Sequence, residues 1–478
     1  MLILYLILAI LVVFLIVILL RAAAFKTRPE ETTEPESVEF DRESAVRSLA
    51  SLIRCKTVSY EDAEKEDDAE FARLISLLPE LYPNVTKICE LQRFPGRALL
   101  YRWAGRETGE PAVLMAHYDV VPVEEEHWEK PPFEAIIENG ELWGRGTLDT
   151  KVTFNGILSA AETLIAQGFQ PLHDVYFAFS GCEEINGPGA KHIVDYFAAQ
   201  GITPAFVLDE GGAVVEDIFP GVTGACALIG IAEKGLMNLE YSVESSGGHA
   251  SAPAPHTPVG KLSAACAAVE NHPFPMHITK PVEAMFDTLG RRSTFLYRII
   301  FANLWCFRGV LNGICKKSGG ELNALVRTTV AFTQMQGSKA PNVIPPSASM
   351  VSNIRLNPSD TMAGAQDYIR GVIGDDDIKL RVMTGMEPSP ISRTDCEGWE
   401  RICKAVSGTW TGCIVTPYLM VQCSDSRHYR DLSDKVYRFS AMDLTAPERR
   451  TIHGNNERIR LEVIGRAVEF FIRLMKQC

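Results

Sequence analysis

The chain has 478 residues, of which 46% are apolar and 22% charged, and a formal net charge of −13. That length allows two to four domains with a substantial core, and the composition excludes global disorder. The acidic balance excludes the basic footprint of a nucleic-acid binder, and the 12 cysteines, with no CxxC pair among them, form no disulfide framework and suit small buried positions in a reducing compartment.

Residues 2–20 carry no charge, and about 20 apolar residues cross a bilayer core. A cleaved signal peptide is the competing reading, with residues 22–24 as its small-residue site. No Lys or Arg precedes the run, which favours an uncleaved transmembrane anchor over residues 1–21. Arg21, Lys26 and Arg28 follow directly, and such a basic flank places the large domain on the cytoplasmic side, giving a single-pass membrane protein. Residues 22–43 are polar, acidic and proline-containing and read as a linker.

Globular structure is expected from Ser44, where SAVRSLASLIR and then EFARLISLLPEL show helical periodicity. ALLYRWAG and AVLMAHYDVV read as strands, and Asn139-Gly140 between apolar flanks marks a hairpin. FNGILSAAETLIAQGF is a predicted helix, DVYFAFSG a buried strand, AKHIVDYFAAQG a helix and AFVLDEGG a strand. This alternation predicts an α/β catalytic domain with a mostly parallel central sheet, its first part over residues 44–233 and its second over 388–478. Between them, residues 234–387 read β-α-β-β-α-β, with NALVRTTVAFTQMQG among the strands, as in a ferredoxin-like α+β domain. An apolar, aromatic stretch at about 276–318 interrupts it, read either as packed helices or as the greasy wall of a substrate groove.

Potential metal ligands recur at strand ends, where open α/β sheets gather their sites. His117 and Asp119 form H-x-D after a strand, with both side chains on one face, so Asp119 can orient the imidazole. Asp149 follows the hairpin, Glu183 and Glu184 end the strand FAFSGCEE, Asp209 ends AFVLDEGG, and His453 lies just before the last helix. Adjacent carboxylates at the end of a buried strand call for a compensating cation, and the mixed His/carboxylate set suits zinc.

From residue 44 to its end the chain resembles the M20 family of metallopeptidases, and within it the carboxypeptidase S and N-fatty-acyl-amino-acid hydrolase branch. The stretches that carry the likeness are MAHYDVVPV, WGRGTLDTK, GCEEINGPGA, LDEGG, SGGHASAP, NVIPP, NIRLNP, SDSRHY and IHGNNERI, in the family's order. The resemblance implies a zinc hydrolase with two Zn²⁺ ions (cobalt as a substitute). His117 and Asp209 would hold one ion, Glu184 and His453 the other, and Asp149 would bridge them. Glu183 would be the general base and Asp119 the support of His117. It further implies that residues 234–387 form a lid or dimerisation domain, in which His249 donates to the reacting oxygen and Asn342 and Arg355 grip a substrate carboxylate. A homodimer or strong domain closure follows from such a lid histidine. The implied substrate is a peptide C-terminus or an N-acyl amino acid with a free carboxylate. Dipeptidase action, deacylation of a small acylated amino acid, and a catalytically silent binding protein on the same fold are the alternatives. Three features depart from the family, one being QCSDSRHY in place of a more usual Gly-Asn-Thr-Asp, with Ser424 and Asp425 keeping the polar core of that loop. Thr150 stands where a second acidic residue is usual, at a position with an implied cis peptide, and Cys182 sits directly before the glutamate pair, either inert or a point of oxidation.

Overall fold

The structure is a computed structural model that describes residues 1–25, 27, 37–216, 219 and 221–478. Lys26 and residues 28–36 of the expected linker lie outside the described residues. Leu2–Ala24 is one helix of 23 residues, and it is the one helix among the described residues long and apolar enough to cross a membrane. The globular part starts with the helix Arg42–Ile53, whose N-cap Asp41 accepts a hydrogen bond from the Ser44 N–H at 2.9 Å.

An eight-stranded sheet is built from β1 (Glu90–Phe94), β2 (Ala98–Trp103), β3 (Ala112–His117), β4 (Val175–Ser180), β5 (Phe206–Val215) and β6 (Cys226–Glu233), followed late in the chain by two more strands. Before those two come the strands of a second sheet, β7 (Gly235–Glu244), β8 (Thr329–Gln336), β9 (Ser347–Leu356) and β10 (Lys379–Met386). The chain then returns to the first sheet with β11 (Ile414–Met420) and β12 (Val436–Leu444). The spatial order is β1-β2-β4-β3-β5-β12-β6-β11. The pairs β4–β3, β3–β5, β5–β12 and β6–β11 are parallel, and β1 and β2 form an antiparallel edge. Helices on both faces bury these strands, so VYFAFS and CALIGIAE are buried at every position and read as unbroken apolar runs.

The second sheet runs β8-β9-β7-β10, all antiparallel, and packs the helices Pro258–Asn271 and Met362–Ile373 over a core of its own that includes Leu239, Tyr241, Leu262, Ile354 and Ile369. Lys234 is the one residue between β6 and β7, where the chain passes from one sheet to the other. Its ammonium is buried and donates to the Ala324 and Arg327 carbonyls at 2.9 and 2.8 Å. The apolar stretch near 276–318 folds as the helices Lys280–Arg292, Phe295–Ala302 and Leu304–Ser318. One expectation changes here. Residues 323–325, read as the start of a strand, belong to the helix Gly320–Leu325. Leu322 and Leu325 meet the same core at helical spacing, and the strand begins only at Thr329.

Candidate metal centre

Parallel pairing brings the ligand candidates to one end of the sheet. In register, His117 lies opposite Ser180, so the end of β3 stands beside the turn that carries Glu183 and Glu184. The His117 ring is buried, and its Nδ1 donates to the Asp119 main-chain carbonyl at 3.0 Å. With Nδ1 committed to the main chain, Nε2 faces outward, 3.0 Å from Asp149 Oδ1. The Asp119 carboxylate serves a second purpose. It accepts the backbone N–H groups of Glu183 and Glu184, each at 3.1 Å, and the Ser59 hydroxyl at 2.8 Å. A single buried aspartate thus positions both the histidine and the glutamate pair.

Asp149 stands between two histidines. Its Oδ1 faces His117 Nε2, and its Oδ2 lies 3.0 Å from His453 Nε2, which is also 3.1 Å from Glu184 Oε2. The Asp149-Thr150 peptide is cis, as the family likeness implies. The loop carrying Asp149 is clamped by Glu457, a fully buried residue that sequence patterning does not single out. Glu457 Oε1 accepts the Leu148 and Asp149 N–H groups at 2.6 and 3.2 Å, while Oε2 accepts Gly146 N–H at 3.0 Å and Arg145 Nη1 at 2.6 Å. The one sequence signal was its place in the IHGNNERI stretch, four residues after His453. The segment that supplies His453 therefore also sets the Asp149 loop.

Asp209 is held by the main chain. Its Oδ1 accepts the Glu210 N–H at 2.9 Å and its Oδ2 the Ser426 N–H at 2.8 Å, which turns the carboxylate into the protein. Glu210 faces the cluster, with Oε1 3.4 Å from His117 Nε2. The cause is a register break in β5. Arg438 pairs with Asp209 but Phe439 with Gly212, so Glu210 and Gly211 bulge out of the ladder. A bulge re-aims a side chain next to a site. Gly211 sits there at φ 149°, where an added Cβ would come within 2.7 Å of both the Arg438 Cβ and the Met420 sulfur.

Two ligand groupings result, His117 with Asp149 and Glu184, and His117 with Glu183 and Glu210, each with its ligand atoms within 4.8 Å of one another. Around a zinc ion, ligand atoms at about 2.0–2.2 Å stand roughly 3.3 Å apart, and the observed spacings match that. A second observation favours a cation. Glu184 Oε1 is buried and has no hydrogen-bond partner, a costly state for a carboxylate oxygen unless a cation meets it. The electrostatics agree. Burial alone would lower the His117 ring, but the Glu210, Asp119 and Asp149 carboxylates outweigh it and hold the ring well above its ordinary value. Hydrogen bonds to Asp149 and Glu184 keep His453 up at about 11. Burial drives Glu183 well above the usual carboxylate range and Glu210 to about 8.

Glu210 and His453 so raised hold protons near neutral pH in the metal-free chain, and a cation must displace them. Zinc binding is therefore expected to release protons, with apparent affinity climbing as the pH rises toward the Glu210 value of about 8. Calorimetric titrations in buffers of differing ionisation enthalpy read this release, and a buffer-independent enthalpy contradicts it.

The cluster opens into a cavity of about 620 Å³. Asp149, Glu183, Glu184, Glu210 and His453 form its polar end. Leu228, Met420, Met442 and Leu444 of the sheet, together with Leu148 and Ile452, supply its apolar lining, beside the charged Glu321, Arg449 and Arg450. Among the described residues none from 276–318 lines it, so the greasy wall comes from strand ends and not from the insert. Cys182 points away, donating to the Gly96 carbonyl at 3.2 Å, and burial pushes its thiol up to about 11, which leaves it little thiolate to oxidise. Arg355 reaches the rim, with Nη1 3.4 Å from the sulfur of Cys423, which lines the cavity. His249 and Asn342 are exposed and lie apart from the lining, next to each other on a two-stranded ribbon in which His249 pairs with Val343 and the Ala250 N–H donates to the Asn342 carbonyl at 3.0 Å.

Comparison with known proteins matches this architecture. The chain is 35% identical over 479 residues to an N-fatty-acyl-amino acid synthase/hydrolase of Xenopus tropicalis, covering 98% of this chain and 93% of that one. It is 34% identical over 436 residues to a probable carboxypeptidase S-like protein of Dictyostelium discoideum, covering 90% and 84%. Among solved structures, an M20 family metallo-carboxypeptidase from Sulfolobus solfataricus shares the fold at a TM-score of 0.65 and 17% identity, over 91% of this chain and 98% of that one. The model of peptidase family M20/M25/M40 matches residues 113–477. The chain belongs to that family and is a metal-dependent hydrolase.

Proposed function

We propose that the protein is a two-zinc amide hydrolase that frees an amino acid from an N-acyl amino acid or from a peptide C-terminus. The observation that carries the reading is Asp149, whose two oxygens each face a different histidine at 3.0 Å. His117 and Glu210 would hold one ion, Glu184 and His453 the other, and Asp149 both. Glu210 replaces Asp209 in this set because the bulge aims it at His117. Two ions there would supply Lewis acidity toward the scissile carbonyl and acidify the attacking water.

The protein's own groups do the rest. Glu183, in the cavity wall beside the ligands, takes a proton from the attacking water and delivers it to the leaving nitrogen. The water oxygen bonds to the carbonyl carbon, the C–N bond breaks, and a carboxylic acid and a free amine leave. Its raised proton affinity suits that exchange. Arg355 at the rim offers a guanidinium to the substrate carboxylate. His249 and Asn342 share one ribbon, so one closing movement, within a chain or from a second copy, carries both to the substrate. On this reading residues 234–387 act as the lid.

The apolar wall selects an apolar acyl group. Binding of N-acyl amino acids is expected to tighten along a saturated acyl series by up to ~0.8 kcal/mol per added CH₂ until the cavity is full. KM values for such a series of N-acyl leucines, beside dipeptides, read this out, and values independent of chain length contradict it. The helix Leu2–Ala24 is proposed as an uncleaved span, with Arg21 at its cytoplasmic end.

A further inference from the structure

The N-terminal helix is not an isolated rod. Nearly all its side chains are exposed, but Ile18 and Ala22 are buried against the insert. The contact is specific. The buried Asn303 stands between the helices Phe295–Ala302 and Leu304–Ser318, and its Nδ2 donates to the Ile18 carbonyl at 3.1 Å. Arg21 Nε donates to the Asn303 Oδ1 at 3.1 Å and to the Ala302 carbonyl at 3.2 Å. Further along, the Phe14 and Trp305 rings meet edge to face at 5.9 Å.

Phe14 precedes Arg21 by seven residues, about 10 Å along the helix axis at 1.5 Å per residue. Phe14 is also close to the midpoint of Leu2–Ala24. If that helix spans a bilayer with Arg21 at the headgroups, Trp305 lies well below them. The corner that carries Trp305 is built for such a position. Phe295, Leu296, Trp305 and Val310 are 49%, 71%, 58% and 51% exposed, a large apolar area to leave in water, and Trp305 joins the N-terminal helix through Phe14. Basic groups edge it. Lys316 and Lys317 are exposed at the far end of the second helix, while the Arg291 guanidinium, over the Phe25 ring at 4.3 Å, is paired with Asp287 at 2.8 Å. Exposed Arg308 has the length to carry its charge outward to a headgroup.

We propose that the corner between Phe295–Ala302 and Leu304–Ser318 is a second membrane-seated element, dipping beside the N-terminal helix into the apolar layer of a bilayer with anionic headgroups. This rests on reading Leu2–Ala24 as a span. The following helix ties the corner to the active-site cavity. Glu321, in the cavity wall, accepts the Tyr418 hydroxyl at 2.7 Å and faces Arg449 at 3.4 Å. Seating the corner therefore holds the cavity at the membrane, where acylated amphiphiles concentrate.

The test uses the full chain in phosphatidylcholine–phosphatidylserine vesicles with and without bromine on the acyl chains. Of the six tryptophans, Trp305 is isolated by difference between the wild type and Trp305→Phe, a substitution that keeps an aromatic ring there. Hydrolysis by the variant checks that it is folded. The expected result is that bromolipid quenches the Trp305 component by about half or more while the remaining emission changes little. An alkaline carbonate wash reads the span separately. Retention of the chain with Trp305 unquenched overturns the inserted corner and leaves the span. Release with Trp305 unquenched overturns both. Quenching of Trp305 in vesicles from which the wash then releases the chain supports the corner and overturns the span. Unquenched Trp305 in vesicles whose chains cross-link through this face, with cross-linking lost in Trp305→Glu, overturns the proposal in favour of a second copy of the chain as the occupant.

Discussion

Glu183→Gln is expected to lower kcat by about 10²–10⁴-fold, the usual worth of a positioned general base, while the chain keeps both metal ions. The separation is possible because Glu183 is placed by its backbone. Its N–H is held by Asp119 Oδ1 at 3.1 Å, so the amide side chain enters an unchanged main chain. The links among Asp149, Glu184 and His453 do not pass through it. Burial raises Glu183 well above the ordinary carboxylate range, so it holds a proton more strongly than a solvated carboxylate does. Steady-state kinetics and elemental analysis of one preparation check both halves. Undiminished turnover removes Glu183 from the base role, and loss of metal together with turnover makes it a ligand, as its place in a grouping with His117 and Glu210 allows.

Glu210→Ala and Asp209→Ala are expected to fail differently. Glu210 faces His117 Nε2 at 3.4 Å, so its loss should empty one metal position and remove most activity. Asp209 instead accepts two backbone N–H groups, from Glu210 and Ser426. Its loss leaves those donors unpaired, at about 1–3 kcal/mol each, and should appear as a lower Tm with two ions still bound. Metal content and melting curves of the two variants decide the matter. Metal loss in Asp209→Ala with retention in Glu210→Ala restores Asp209 as the ligand.

That pair shows where sequence reading runs out. The α/β architecture is legible because its strands are either unbroken apolar runs or alternating ones, and its helices carry 3.6-residue periodicity. His117, Asp149, Glu183, Glu184 and His453 are also legible, since each sits at a strand end or loop that the fold brings to one side. Between Asp209 and Glu210 the sequence offers no choice, because the bulge that aims Glu210 at His117 is a property of pairing with β12, more than 200 residues away. Glu457 is marked only by its place after His453, for a similar reason. Its role lies in four hydrogen bonds to residues about 310 positions earlier. The insert is legible as apolar helices, but its neighbour is not. Hydrophobicity alone made it a candidate groove wall, whereas the structure lines the cavity with strand ends and turns the insert to the N-terminal helix.

The central claim is that two cations, shared through Asp149, make this chain an amide hydrolase. The most direct measurement strips the full-length enzyme with a chelator and titrates zinc back, following bound metal per chain and free amino acid released from an N-acyl amino acid. The account predicts no release from the stripped enzyme and activity that rises with zinc and levels off at two ions per chain. Release undiminished by stripping, or zinc content well below one ion per chain with no gain on addition, contradicts it.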